Sequence, residues 1–128
     1  GDRETISRSH RWRKTFGGGM RQSGILAAAG IHALENNIER LSEDHIRASR
    51  LAEAISRMGS FSVELEGVQS NMVYVQCDEG SAKEVANRLA SRGVDVSEET
   101  DSIVRAVTHL HITDEDIDRA IEAFEASQ

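Results

Sequence analysis

The apolar residues change period at Gly59, and that change confines the chain to a mixed architecture. Between Leu41 and Met58 they recur at spacings of three and four: Leu41, His45, Ala48, Leu51 with Ala52, Ile55 and Met58. Such spacing draws one stripe down a helix. Glu43 with Arg47 and Glu53 with Arg57 form i,i+4 pairs on its wet side. Gly59 stops the helix, and the period then falls to two. Phe61, Val63 and Leu65 alternate with Ser62, Glu64 and Glu66, which predicts an amphipathic strand over 61–65.

The rest of the chain continues the mixture. Met72 to Cys77 reads as a second, more continuous strand. Ser81 with Glu84 is a capping box that opens a helix over 81–92, closed by Gly93, with Ala82, Val85, Ala86 and Leu89 as its inner stripe. Val94 and Val96 suggest a short strand, and Ile103 to Leu110 another. Thr113 caps a last helix whose inner stripe is Ile117, Ala120, Ile121 and Phe124, with Asp114, Glu115 and Asp116 at its positive end. A few short strands with helices stacked on them make an α+β layer fold.

Before Leu41 the composition differs. Residues 3–16 predict a charged helix whose larger apolar residues are Ile6, Trp12 and Phe16; Gly17-Gly18-Gly19 ends it. Residues 21–38 predict a second helix, favoured by Ala27, Ala28 and Ala29. Gly24 and Gly30 give it a thin side that another backbone can approach. The natural division is therefore 1–38, a basic helix, glycine loop and interface helix, and 39–128, an α+β domain.

Charge follows the same boundary. Residues 1–21 carry six basic side chains against two acidic ones, whereas the remainder carries 9 against 20 within a net charge of −7. The acidic body argues against nonspecific nucleic-acid or membrane binding. Cys77 is the sole cysteine, so no internal disulfide forms, which points to a reducing, cytoplasmic setting. The chain begins at Gly1 and contains no proline, and that start suggests a cut or trimmed product.

Two groups of residues invite a chemical reading. Arg105, within Ile103-Val104-Arg105-Ala106-Val107, faces the same side as Ile103 and Val107, and a guanidinium among apolar neighbours needs an anion. It is an edge arginine reaching water, one paired with a carboxylate of its own domain, or a fork for a ligand carboxylate or phosphate. Lys14 and Arg21 flank Gly17 to Gly19, which reads as a hinge after a basic helix or as amides and cations around an anion. The other residues offer less. His45 reads as a core histidine, His109 and His111 lack a third metal ligand, Cys77 reads as a strand residue, and Asn71 as a turn residue.

The segments Arg11-Trp12-Arg13-Lys14, Gly17-Gly18-Gly19-Met20-Arg21-Gln22, Ser23-Gly24 and Leu26-Ala27-Ala28-Ala29-Gly30 resemble the low-specificity L-threonine and L-allo-threonine aldolases. Glu43-Asp44-His45, Ser70-Asn71-Met72, Val104-Arg105 and Val107-Thr108-His109-Leu110 extend the likeness over nearly the whole chain, as a carboxy-terminal portion. The resemblance implies the small carboxy-terminal domain of the aspartate-aminotransferase-like, fold type I, pyridoxal-phosphate enzymes. It implies cleavage of L-threonine or L-allo-threonine to glycine and acetaldehyde by a homotetramer with active sites at subunit interfaces. Arg105 matches the arginine that binds the substrate carboxylate. Lys14 and Arg21 match basic residues near the cofactor phosphate, contributed across the interface. The family's cofactor lysine stands upstream of the segment matching Arg3 to Lys14, and so do the stacking histidine and the aspartate that pairs with the pyridinium. The implied partners are a large domain of the same protein, further copies of it, and a small amino acid. The competing readings are a non-catalytic assembly domain and an anion- or RNA-binding module built on the basic head.

Overall fold

A computed structural model describes all 128 residues, and they divide after Ile38 into two units, 1–38 and 39–128. In the first, helix α1 spans Arg3–Thr15 and helix α2 spans Gly24–Asn36. Asp2 caps α1 by accepting from the Thr5 amide at 2.7 Å, and that bond holds its carboxyl below the ordinary range. Gly17, at φ +84°, turns the chain out of α1 in a conformation that favours glycine. The Trp12 and Phe16 rings, one helical turn apart, stack with centroids 5.7 Å from each other. Every residue from 1 to 36 is exposed, so neither helix has a buried face.

The second unit contains helix α3 (Leu41–Ile55), strands β1 (Phe61–Ser62) and β2 (Met72–Cys77), helix α4 (Ala82–Ala90), strands β3 (Ser97–Glu98) and β4 (Ile103–Val107), and helix α5 (Asp114–Glu125). The strands form one antiparallel sheet in the order β1-β2-β4-β3. The central pair is registered Met72 to Val107, Tyr74 to Arg105 and Gln76 to Ile103. Side chains alternate across a strand, so Val73, Val75, Cys77 and Val104 share the face buried in the core. Leu51 and Ile55 of α3, Val85 and Leu89 of α4, and Ile117 and Phe124 of α5 complete that core. Phe124 meets Phe61 edge to face at 5.4 Å, and burying a ring of that size contributes about 1.5–3 kcal/mol. The opposite face of the sheet presents Met72, Tyr74, Gln76, Ile103, Arg105 and Val107, and no helix covers Met72, Tyr74 or Val107, which stay exposed.

Both helix starts marked in the sequence are capped as expected. Ser81 and Glu84 close a reciprocal box on α4, and Thr113 does the same on α5 with Asp116. The strands differ more. The predicted strand over 61–65 stops at Ser62, because Gly67 and Val68 donate back to Glu64 and Leu65 in a single 3₁₀ turn and satisfy the backbone locally. Val94 and Val96 form no strand; they pack against the core, and the pairing falls on Ser97 and Glu98. The strand predicted to Leu110 ends at Val107, since Ile112 bonds back to His109 in a turn. Helix α3 ends at Ile55, although Met58 still reaches the core. His45 is not a core residue. It is exposed, as is Leu41, and the buried position belongs to Asp44.

Candidate functional site around Arg105

Arg105 stands in β4 with β2 on one side and β3 on the other, opposite Tyr74 and Ser97. It is therefore not an edge arginine. Its Nη1 lies 3.0 Å from Oε1 of Glu99, both side chains being about one-third exposed, at 31% and 33%. The tight turn between β3 and β4 brings Glu99 there: Glu99 and Thr100 both donate to the Ile103 carbonyl, and Ser102 donates to Oγ1 of Thr100. The pairing leaves Nε of Arg105 buried and without a hydrogen-bond partner. A guanidinium has five N–H donors in a planar fork, so one monodentate carboxylate leaves binding capacity unused. The sequence demanded an anion for Arg105 but did not name one; the only cue was the acidic run Glu98-Glu99-Thr100-Asp101 just before the strand.

A polar network fixes the end of β4. The Thr108 amide donates to the Asn71 carbonyl at 2.9 Å, and Nδ2 of Asn71 donates to the Thr108 carbonyl at 2.7 Å. The buried Thr108 hydroxyl donates to the Asp44 carbonyl at 2.7 Å. The Asp44 carboxylate accepts from Nη1 and Nη2 of Arg40, each at 3.3 Å. Asn71, read from the sequence as a turn residue, stands at the bend before β2 and from there ties it to the residue that follows β4. Asp44 was missed, because its neighbours in sequence gave no sign of an inward-facing carboxylate.

The other singled-out residues lie apart from this cluster. His109 and His111 are exposed, their rings 5.8 Å apart and edge to face. Burial pushes the Cys77 thiol up, which keeps it protonated and unreactive. A cavity of about 360 Å³ opens beside α5 and residues 92–96; it reaches Ala106, Val107 and Thr108 but is not lined by Arg105.

Lys14 and Arg21 belong to the first unit and are both exposed. The glycine turn between them is not a nest of free amides: Gly17 donates to Lys14, Gly18 to Arg13 and Gly19 to Gly17. A Cβ at Gly18 would sit 2.8 Å from the Arg13 carbonyl oxygen, and one at Gly19 would sit 2.8 Å from Nζ of Lys14. The glycines thus let the backbone close tightly while the Lys14 ammonium folds over it. Any anion there would meet side-chain cations rather than amides.

Comparison with known proteins agrees with the sequence. The family model described as beta-eliminating lyase matches residues 1–78. The chain belongs to the beta-eliminating lyase family. Its likeness to the threonine aldolases is equally plain: it is 44% identical over 117 residues to the low specificity L-threonine aldolase of Escherichia coli K12, covering 91% of this chain and 34% of that one. It is 36% identical over 128 residues to the probable low-specificity L-threonine aldolase 2 of Arabidopsis thaliana, covering 98% of this chain and 36% of that one. The chain therefore spans about a third of the length of these lyase relatives. Among solved structures, a NifS-like protein from Rickettsia africae aligns with TM-score 0.53 and 20% identity over 70% of this chain and 30% of that one, a likeness of fold. The fold is the α+β small domain of the fold type I enzymes, as the sequence implied. No helix is long and apolar enough to cross a membrane.

Proposed function

We propose that this chain is the carboxy-terminal part of a pyridoxal-phosphate-dependent aldolase that cleaves L-threonine or L-allo-threonine to glycine and acetaldehyde. The observation that carries the proposal is Arg105, a cation on the uncovered face of the sheet whose one carboxylate partner touches Nη1 alone. Arg105 binds the substrate carboxylate, fixing the amino acid by the end that does not react. The Asn71–Thr108 clamp sets the register that carries Arg105. Lys14 and Arg21 fit the anionic end of the cofactor, at its phosphate or at a subunit interface, where the closed glycine turn admits no side chain of its own. When bound, pyridoxal phosphate supplies the electron sink that carbon–carbon cleavage requires. The lysine that holds it is not among this chain's two, so the chain acts with a large domain of the same protein and lacks activity alone. A cytoplasmic homotetramer fits this assignment, and the exposure of residues 1–36 favours their burial between copies.

Substitution of Arg105 in the full-length enzyme tests the assignment. Charged hydrogen bonds contribute about 1.5–3 kcal/mol each, so Arg105→Ala should lower kcat/KM by at least roughly tenfold to a hundredfold. Arg105→Lys should be nearly as damaging, because an ammonium is a point charge and not a fork. The absorbance of bound cofactor should persist in both. Near-normal kcat/KM in Arg105→Ala would remove the carboxylate role, and loss of cofactor or of the folded state would make Arg105 a structural residue.

A further inference from the structure

We propose that Glu99 is a tethered counter-ion that Arg105 exchanges for the carboxylate of its ligand, so that Glu99 sets the affinity for carboxylate-bearing amino acids. The inference rests on the assignment of Arg105 as the carboxylate site. Arg105 shares its face with Ile103, Val107, Met72 and Tyr74. A guanidinium in such surroundings needs a compensating anion when no ligand is bound. Glu99 supplies it, delivered by the turn that Glu99 and Thr100 make onto the Ile103 carbonyl.

The geometry also makes the two carboxylates rivals. Nε of Arg105 is buried, so the edge left for a two-point contact is the terminal one, Nη1 with Nη2. Glu99 occupies Nη1. A carboxylate that takes both terminal nitrogens must displace it, exchanging one ionic contact for two parallel hydrogen bonds. Displaced, Glu99 has a short path to water, since a third of its side chain is already exposed. Glu99 is thus a positioning residue that acts through Arg105 and touches no reacting atom. Removing its charge frees the fork in advance, and a pair this exposed corresponds to about a two- to fivefold change in affinity.

The test uses the full-length holoenzyme with Glu99→Gln and Glu99→Ala. Both should lower KM for threonine by about two- to fivefold with kcat unchanged. Glycine, titrated while the absorbance of the bound cofactor is followed, should bind more tightly by the same factor. The affinity of 2-aminoethanol, which has the amine and no carboxylate, should not move. An unchanged or raised KM in both variants, with melting temperatures kept, would overturn the proposal by making Glu99 a brace or a bystander. Equal tightening of 2-aminoethanol would overturn it as well. Arg105→Ala separates this from the underlying assignment: if it binds glycine as the wild type does, the carboxylate site itself is misplaced.

Discussion

Two lysines decide how much chemistry the chain carries by itself. Lys14 lies in the last turn of α1 with its ammonium folded over Gly19. Lys83 is exposed on α4, between the buried Ala82 and an exposed Glu84. Both are exposed, so neither stands in the enclosed pocket that a cofactor-holding lysine needs. Pyridoxal phosphate added to the isolated chain and reduced with borohydride should therefore leave no stoichiometric label on either lysine by mass spectrometry, and threonine should yield no acetaldehyde. Specific full labelling of Lys14 or Lys83 together with cleavage would sink this. At the residue scale the sequence revealed needs better than partners. The demand of Arg105 for an anion was legible from its apolar neighbours. That Glu99 meets it was not, because the pair forms only once the turn after β3 is folded. Asp44 was hidden in part for the same reason: Thr108, 64 residues away, meets its carbonyl, although its carboxylate pairs with Arg40 only four residues back.

Elements whose cause is local were the ones the sequence announced. The box at the start of α5 is a case with a measurable consequence. The Thr113 amide, then its hydroxyl, then Arg119 hold the Asp116 carboxyl down to about 2 from its ordinary 3.8. A lowered pKa in the folded state means stabilisation that is present above about 3.8 and lost as the pH falls through about 2. In thermal melts, wild type should exceed Asp116→Asn at neutral pH, and the gap should close as the pH approaches about 2. A gap that ignores pH would assign the stabilisation to something other than the charge. Caps and helical stripes depend on residues three and four apart, and so they could be read. Strand ends depend on a partner's register. β1 stopped two residues in although its alternation continued to Leu65, and the strand expected at Val94 formed at Ser97 instead. Alternation reports which face is apolar, not whether another strand lies alongside.

At the scale of the whole molecule the two units differ in how they dispose of apolar surface. Residues 39–128 bury theirs around a core from three helices and one sheet face. Helix α2 buries none. Ile25 is 78% exposed and Leu34 69%, with Leu26 and Ile31 exposed between them, and its charged residues reduce to Glu35. A helix apolar on all sides is stable in water only when other chains or domains surround it. Gly24, Gly30 and the alanines at 27–29 narrow it so that a neighbouring backbone can approach. In the full-length enzyme we expect this helix to be covered in the assembly, with Ala28 in the contact. Ala28→Trp should then overpack a close-fitting surface at a cost of about 1–3 kcal/mol, weakening association by roughly fivefold to a hundredfold per contact. Sedimentation of both proteins over a dilution series should show the variant dissociating at higher concentration than the wild type. Circular dichroism should show its helix content unchanged. If the variant holds its oligomer at every dilution at which the wild type does, α2 is covered through another side or is not an interface helix at all.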